Sequence, residues 1–229
     1  MTVPKLVRRA CLAAALLAIG AGAQPAAAQT ATGSQAAVGA EGPAQRFSGP
    51  AERPRRHFRV SDPVELSAEE AEEIYLGLRR ELARGYAASG DAAAGAYQGW
   101  TRFNTAPYGS MTHGRRYVNN YANEIARAYG APEQAGRFPV GSVIAKDSFV
   151  VTDTGDIRPG PLFVMEKMPP GFNYVSGDWR YSVVTAAGEL AGRTAGAGAE
   201  RVEFCIACHL AREAQDHLFF VPEAFRSAP

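Results

Sequence analysis

The stretch EFCIACHL, residues 203–210, holds the chain's only closely spaced cysteines, with a histidine directly after the second. Cys205, Cys208 and His209 form Cys-x-x-Cys-His, the attachment pattern of a c-type haem. Two thiols three residues apart share a helix face, so each can reach one vinyl group of the same porphyrin. The next residue then offers an imidazole to the iron. That chemistry requires a helix near the C-terminus and an apolar surface to cover a flat macrocycle. Rival uses of the motif fit less well. A redox Cys-x-x-Cys would open a helix after a strand and would not need His209. Zinc would want further ligands at matching spacing, and His217 stands alone. A disulfide across so small a loop would constrain the unfolded chain little.

The N-terminus supplies the compartment. Lys5, Arg8 and Arg9 precede an apolar run from Cys11 to Ile19, and small residues end at Ala26, Ala27 and Ala28. This reads as a secretory signal peptide over 1–28, too short in its apolar run to span a bilayer, and predicts a periplasmic protein without a membrane anchor. The full chain carries 24 Lys+Arg against 23 Asp+Glu. Removing the three leader cations leaves 21 against 23, which gives no basic footprint for nucleic acid. Residues 29–64, rich in Ala, Gly, Gln and Pro, read as a disordered tether with His57 as a solvated residue. A single folded domain is expected over 65–229.

Within that domain, Ser67 and Glu70 predict a capping box, and Ile74, Leu78 and Leu82 an amphipathic helix. Asp91 reads as the cap of a second helix. The period then shifts. RRYVNNY, GSVIAKDSFVV, PLFVMEKM and DWRYSVV read as strands, with TDTGD as a tight connection and ANEIARAYG as a short helix. AAGELAGRTAGAGAE reads as a glycine-rich loop. The fold class is α+β: a small antiparallel sheet packed with helices on one face, with haem attached at a C-terminal helix.

An electron carrier would fill the iron's second axial position with methionine or histidine. Met111, Met165, Met168, His113 and His217 are candidates, but core filling suits the strand methionines better and surface or hydrogen-bonded roles suit the histidines better. Small electron carriers usually place the haem motif first, whereas here it comes last, which favours an open iron. After the leader the chain has only two lysines, Lys146 and Lys167, both in predicted strands where a solvated role is the default.

WTRFNTAPYGSMTHGRRYVNNYAN, PVGSVIAKDSF, GPLFVMEKM, GDWRYSVV and EFCIACH together resemble the cytochrome P-460 family, over roughly residues 65–225. These are periplasmic haem c proteins related to the β-sheet cytochromes c′. The resemblance implies an antiparallel sheet over one covalently attached haem c, a homodimer and an open distal site. It also implies oxidation of hydroxylamine, with electrons passed to a small soluble partner such as a cytochrome c. Finally, it implies a bond from a lysine to a porphyrin meso carbon, at the position of Lys146. That bond needs an uncharged amine. Strand alternation puts Lys146 on one face with Ile144, Ser148 and Val150, and Asp147 on the other. A carboxylate near the open face would accept substrate protons, and Glu203, Glu200 and Glu166 are the candidates, Glu203 being preferred. Without such a group the resemblance leans to nitric oxide binding without turnover. A six-coordinate electron carrier is the third reading.

Overall fold

The computed structural model of the protein describes residues 63–227. The segment expected as a leader, and nearly all of the expected tether with His57, lie outside these residues. Pro63 and Val64, at the tether's end, already pair with the sheet: Pro63 bridges Thr152, and the Val64 amide donates to the Val151 carbonyl at 3.1 Å.

Helix α1, Ala68–Ala87, starts where its sequence says it should. Ser67 Oγ accepts from the Glu70 amide at 3.2 Å, and Glu70 Oε2 accepts from the Ser67 amide at 2.8 Å. Two orphan donors are thereby satisfied reciprocally. Its apolar stripe buries Ala71, Tyr75, Leu82 and Tyr86. Gly85 lets this face meet backbone, since a Cβ there would stand 2.2 Å from the Ala186 carbonyl oxygen. Helix α2, Ala92–Ala96, is one turn capped by Asp91, whose side chain accepts from the Ala94 amide.

Among the described residues eight antiparallel strands follow: β1 Thr101–Arg102, β2 Tyr108–Ser110, β3 Arg116–Ala122, β4 Val143–Val151, β5 Ile157–Pro159, β6 Leu162–Lys167, β7 Trp179–Val184 and β8 Leu190–Arg193. The sheet runs β1-β3-β4-β6-β7-β8, with β2 also on β3 and β5 also on β4. The expected strands are all present. The turn after β4 is a tight one, closed by the Gly155 amide on the Thr152 carbonyl at 2.9 Å, and it leads first into short β5. β8 lies within the stretch expected to be a glycine-rich loop. ANEIARAYG forms a 3-10 segment, Glu124–Gly130.

The sheet has two cores. One face packs on α1 and α2 through Tyr117, Tyr121, Ala145, Phe149, Leu162 and Val184. The other gathers Val118, Ile144, Met165, Trp179 and Tyr181 with the C-terminal segment. That segment contains α3, Glu203–His209, followed by a 3-10 stretch, Leu210–Gln215. Helices therefore cover both faces, where the sequence suggested one: the sheet is apolar on both sides, and each side needs a cover. Among the described residues, no helix is long and apolar enough to cross a membrane.

Candidate functional site

β4 is the strand that divides the two cores. Alternation sends Ile144 and Lys146 to the α3 side and Ala145, Asp147 and Phe149 to the α1 side, because successive side chains on a strand leave opposite faces. Asp147 is fully buried there among polar partners. Tyr75 and Tyr97 donate to Oδ2 at 2.8 and 3.1 Å, and Asn119 donates to Oδ1 at 2.9 Å. Asp147 thus makes no pair with the lysine beside it in sequence.

Lys146 is 7 % exposed, and its Nζ donates to the Phe219 carbonyl at 3.4 Å. Burial among apolar walls pulls its pKa down from the usual 10.5 to about 8, because the charged form loses its hydration. That raises the fraction of uncharged, nucleophilic amine, although the protonated form still predominates near pH 7.

Across from β4, α3 brings Cys205, Cys208 and His209 to the same cleft. The two cysteines are free thiols, Cys205 half-buried and Cys208 exposed, and burial pushes the Cys205 thiol up to about 12. His209 is buried and held on three sides. Its Nδ1 lies 2.6 Å from the His217 carbonyl, and its ring packs edge-on against Tyr181 and Phe219, each 5.1 Å away between centres. A carbonyl can only accept, so Nδ1 carries the proton and Nε2 keeps its lone pair. Desolvation first, and then the charge of Lys146, draw the His209 pKa down to about 4, so the imidazole is neutral near pH 7. A neutral imidazole with its far nitrogen tethered is the form in which histidine binds metals.

Ile144, Phe163, Met165, Tyr181, Phe204 and Phe219 supply the cleft's other walls. It encloses about 710 Å³ of atom-free space, the open solvent at its mouth included. On its wall the Tyr181 hydroxyl is buried without a hydrogen-bond partner among the described residues. Such an orphan is what a bound group with polar edges would satisfy. An apolar cleft flanked by two thiols and a neutral imidazole fits a covalently held haem.

Sequence reasoning named His113 as a candidate second ligand but gave it a surface or hydrogen-bonded role by default; it is hydrogen-bonded and also lines the cleft, packed 4.8 Å from the Phe163 ring. Its Nδ1 lies 2.9 Å from Ser110 Oγ and 3.2 Å from Thr112 Oγ1. Desolvation holds its pKa well below 6.5, so it too is neutral. Met165 is also at the cleft, whereas Met111 is exposed and Met168 does not line it. The carboxylates proposed from sequence lie elsewhere. Glu203 and Glu200 are exposed, and Glu166 pairs with Arg180 on the α1 side. Among the described residues, no carboxylate lines the cleft.

An antiparallel sheet facing a Cys-x-x-Cys-His helix across an apolar cleft belongs to a c-type haem protein. Residues 95–220, more than half of the chain, match the sequence model of cytochrome P-460. The chain belongs to the cytochrome P-460 family, and its cofactor is a covalently bound haem c. The match excludes α1, which the expected extent of 65–225 included. A search of curated proteins finds no match to the chain.

Proposed function

We propose that the protein is a periplasmic enzyme that oxidises hydroxylamine to nitrogen oxides. In this reading Cys205 and Cys208 would hold one haem by two thioether bonds, His209 Nε2 would ligate its iron, and Lys146 would bond a porphyrin meso carbon, an amine N–H and the meso C–H being lost as two protons with two electrons passed to a peroxide-class oxidant. The observation that carries it is the meeting of Lys146 with all three motif residues on one cleft, from opposite sides. When bound, haem iron supplies a Lewis-acidic, redox-active centre. The chain supplies the rest. His209 is oriented by the His217 carbonyl, and Ile144, Met165 and Phe219 keep water out. His113, steadied at Nδ1 by Ser110 and Thr112, takes the role expected of Glu203: its other nitrogen exchanges protons with the substrate. Electrons leave to a small soluble partner such as a cytochrome c, and the working form is a homodimer.

One observation favours a second reading. A cleft walled by apolar groups and, among the described residues, lined by no carboxylate suits a nitric oxide-binding protein without turnover. Anaerobic assay with hydroxylamine and a one-electron acceptor separates the two. The wild-type protein should have a high-spin resting ferric spectrum and turn over. Lys146→Arg should keep both thioethers and nitric oxide binding but lose the lysine-linked haem peptide and turnover, since a guanidinium stays protonated. His113→Gln should lose turnover and keep the linked peptide. A wild-type protein that binds nitric oxide but never turns over hydroxylamine leaves the gas-binding reading. A low-spin resting spectrum leaves the electron carrier, with Met165 or His113 on the iron.

A further inference from the structure

The chain's other strand lysine is as buried as Lys146 and has a different task. Lys167 ends β6, where its Nζ donates to Asp216 Oδ1 at 2.7 Å and to the Gly177 carbonyl at 2.9 Å. The ammonium also lies 4.9 Å from the centre of the Trp179 ring. Asp216 is gripped from two more directions. Its Oδ2 accepts from the Phe138 amide at 2.9 Å, and its carbonyl accepts from Trp179 Nε1 at 2.8 Å. The backbone explains why so many donors converge. Asp216 and His217 have φ of 51° and 62°, two successive left-handed residues of which neither is glycine. Such a conformation is strained for a residue with a Cβ and persists only where its surroundings over-determine it. The product of this bend is the direction of the next carbonyl, that of His217, which points at His209 Nδ1.

We propose that Lys167 and Asp216 are positioning residues for the proximal imidazole: their buried pair locks the left-handed turn, and the turn's carbonyl sets the orientation and donor strength of His209. The inference rests on the reading of His209 as the iron ligand. A hydrogen bond from Nδ1 raises the basicity of the nitrogen opposite, so slack in the turn becomes a weaker bond to iron. Neither residue touches the cleft, yet both act on what happens there.

Resonance Raman of the ferrous holoprotein reads the iron–histidine stretch, and cyanide titration of the ferric form reads the opposite axial position. Lys167→Met leaves Asp216 buried without its cation and should lose stability, so the decisive variant is Lys167→Met with Asp216→Asn, which removes both charges together. It should keep both thioethers, shift the stretch to lower frequency, and change the cyanide Kd by about tenfold. Ser67→Ala, which weakens α1 on the far side of the sheet, should leave the band where it is. A double variant with reduced stability but an unmoved band and unchanged cyanide affinity overturns the inference and leaves the pair as a brace. A wild-type protein with no iron–histidine band overturns the ligand reading itself.

Discussion

Asp147→Asn tests the electrostatics of the face away from the haem cleft. The carboxyl has no exposed surface, and desolvation raises its pKa from 3.8 to about 6, against the opposing pull of hydrogen bonds from Asn119, Tyr75 and Tyr97. A carboxyl whose folded pKa lies above its unfolded one favours folding when protonated. The wild-type protein should therefore gain stability as pH falls through 6, and the gain should be complete below 3.8. The full difference of 2.2 pH units corresponds to about 3 kcal/mol, of which about 2 kcal/mol falls between pH 7.5 and 4.5. Asparagine does not titrate, so subtracting the two proteins' unfolding free energies cancels every other group, including the histidines. Urea unfolding of both at half-unit pH steps gives the measurement, with equal m values as the check on comparability. The difference should move by about 2 kcal/mol toward the wild type on acidification. A flat difference, or one moving toward the variant, would refute the reasoning, because the three donors would then outweigh burial.

Two further outcomes follow from named contacts. Ser67→Ala removes one half of the capping box and should cost about 1 kcal/mol, read as a lower urea midpoint with m unchanged. Glu203→Gln should leave hydroxylamine turnover and nitric oxide affinity as they are, because its side chain is exposed in the first turn of α3 and away from the cleft. A tenfold loss of turnover in that variant would place it in the chemistry.

What could be read from sequence was what repeats locally. β3, β4, β6 and β7 announce themselves by β-branched and aromatic runs between turn residues, and α1 by its cap and stripe. β1, β2 and β5 are two or three residues long, too short to show a period. β8 is hidden because Gly192 occupies it: a Cβ there would lie 2.4 Å from the Gly198 carbonyl oxygen, so packing demands the residue that disguises the strand. Within the site, alternation on β4 was enough to separate Lys146 from Asp147. It could not reveal Asp216 as the partner of Lys167, since that carboxylate arrives from 49 residues away. Nor could it place His113, whose position comes from a turn after β2 rather than from any period. Glu203 misled by proximity: two residues along a helix is about 200° of rotation, which takes it off the face that carries Cys205.

The division of labour along β4 makes its length an inherited constraint. Its residues serve two interiors in strict alternation, an amine to the cleft and a carboxyl to the tyrosine cage behind it. Adding or deleting one residue upstream of Lys146 within the strand would exchange the two, giving the cleft an acid and the cage a base. Such a change alters the composition by a single residue, yet it would invert the chemistry of both compartments at once. Variation in length can accumulate in the turn after Val151, whereas the strand itself can tolerate substitution but not insertion.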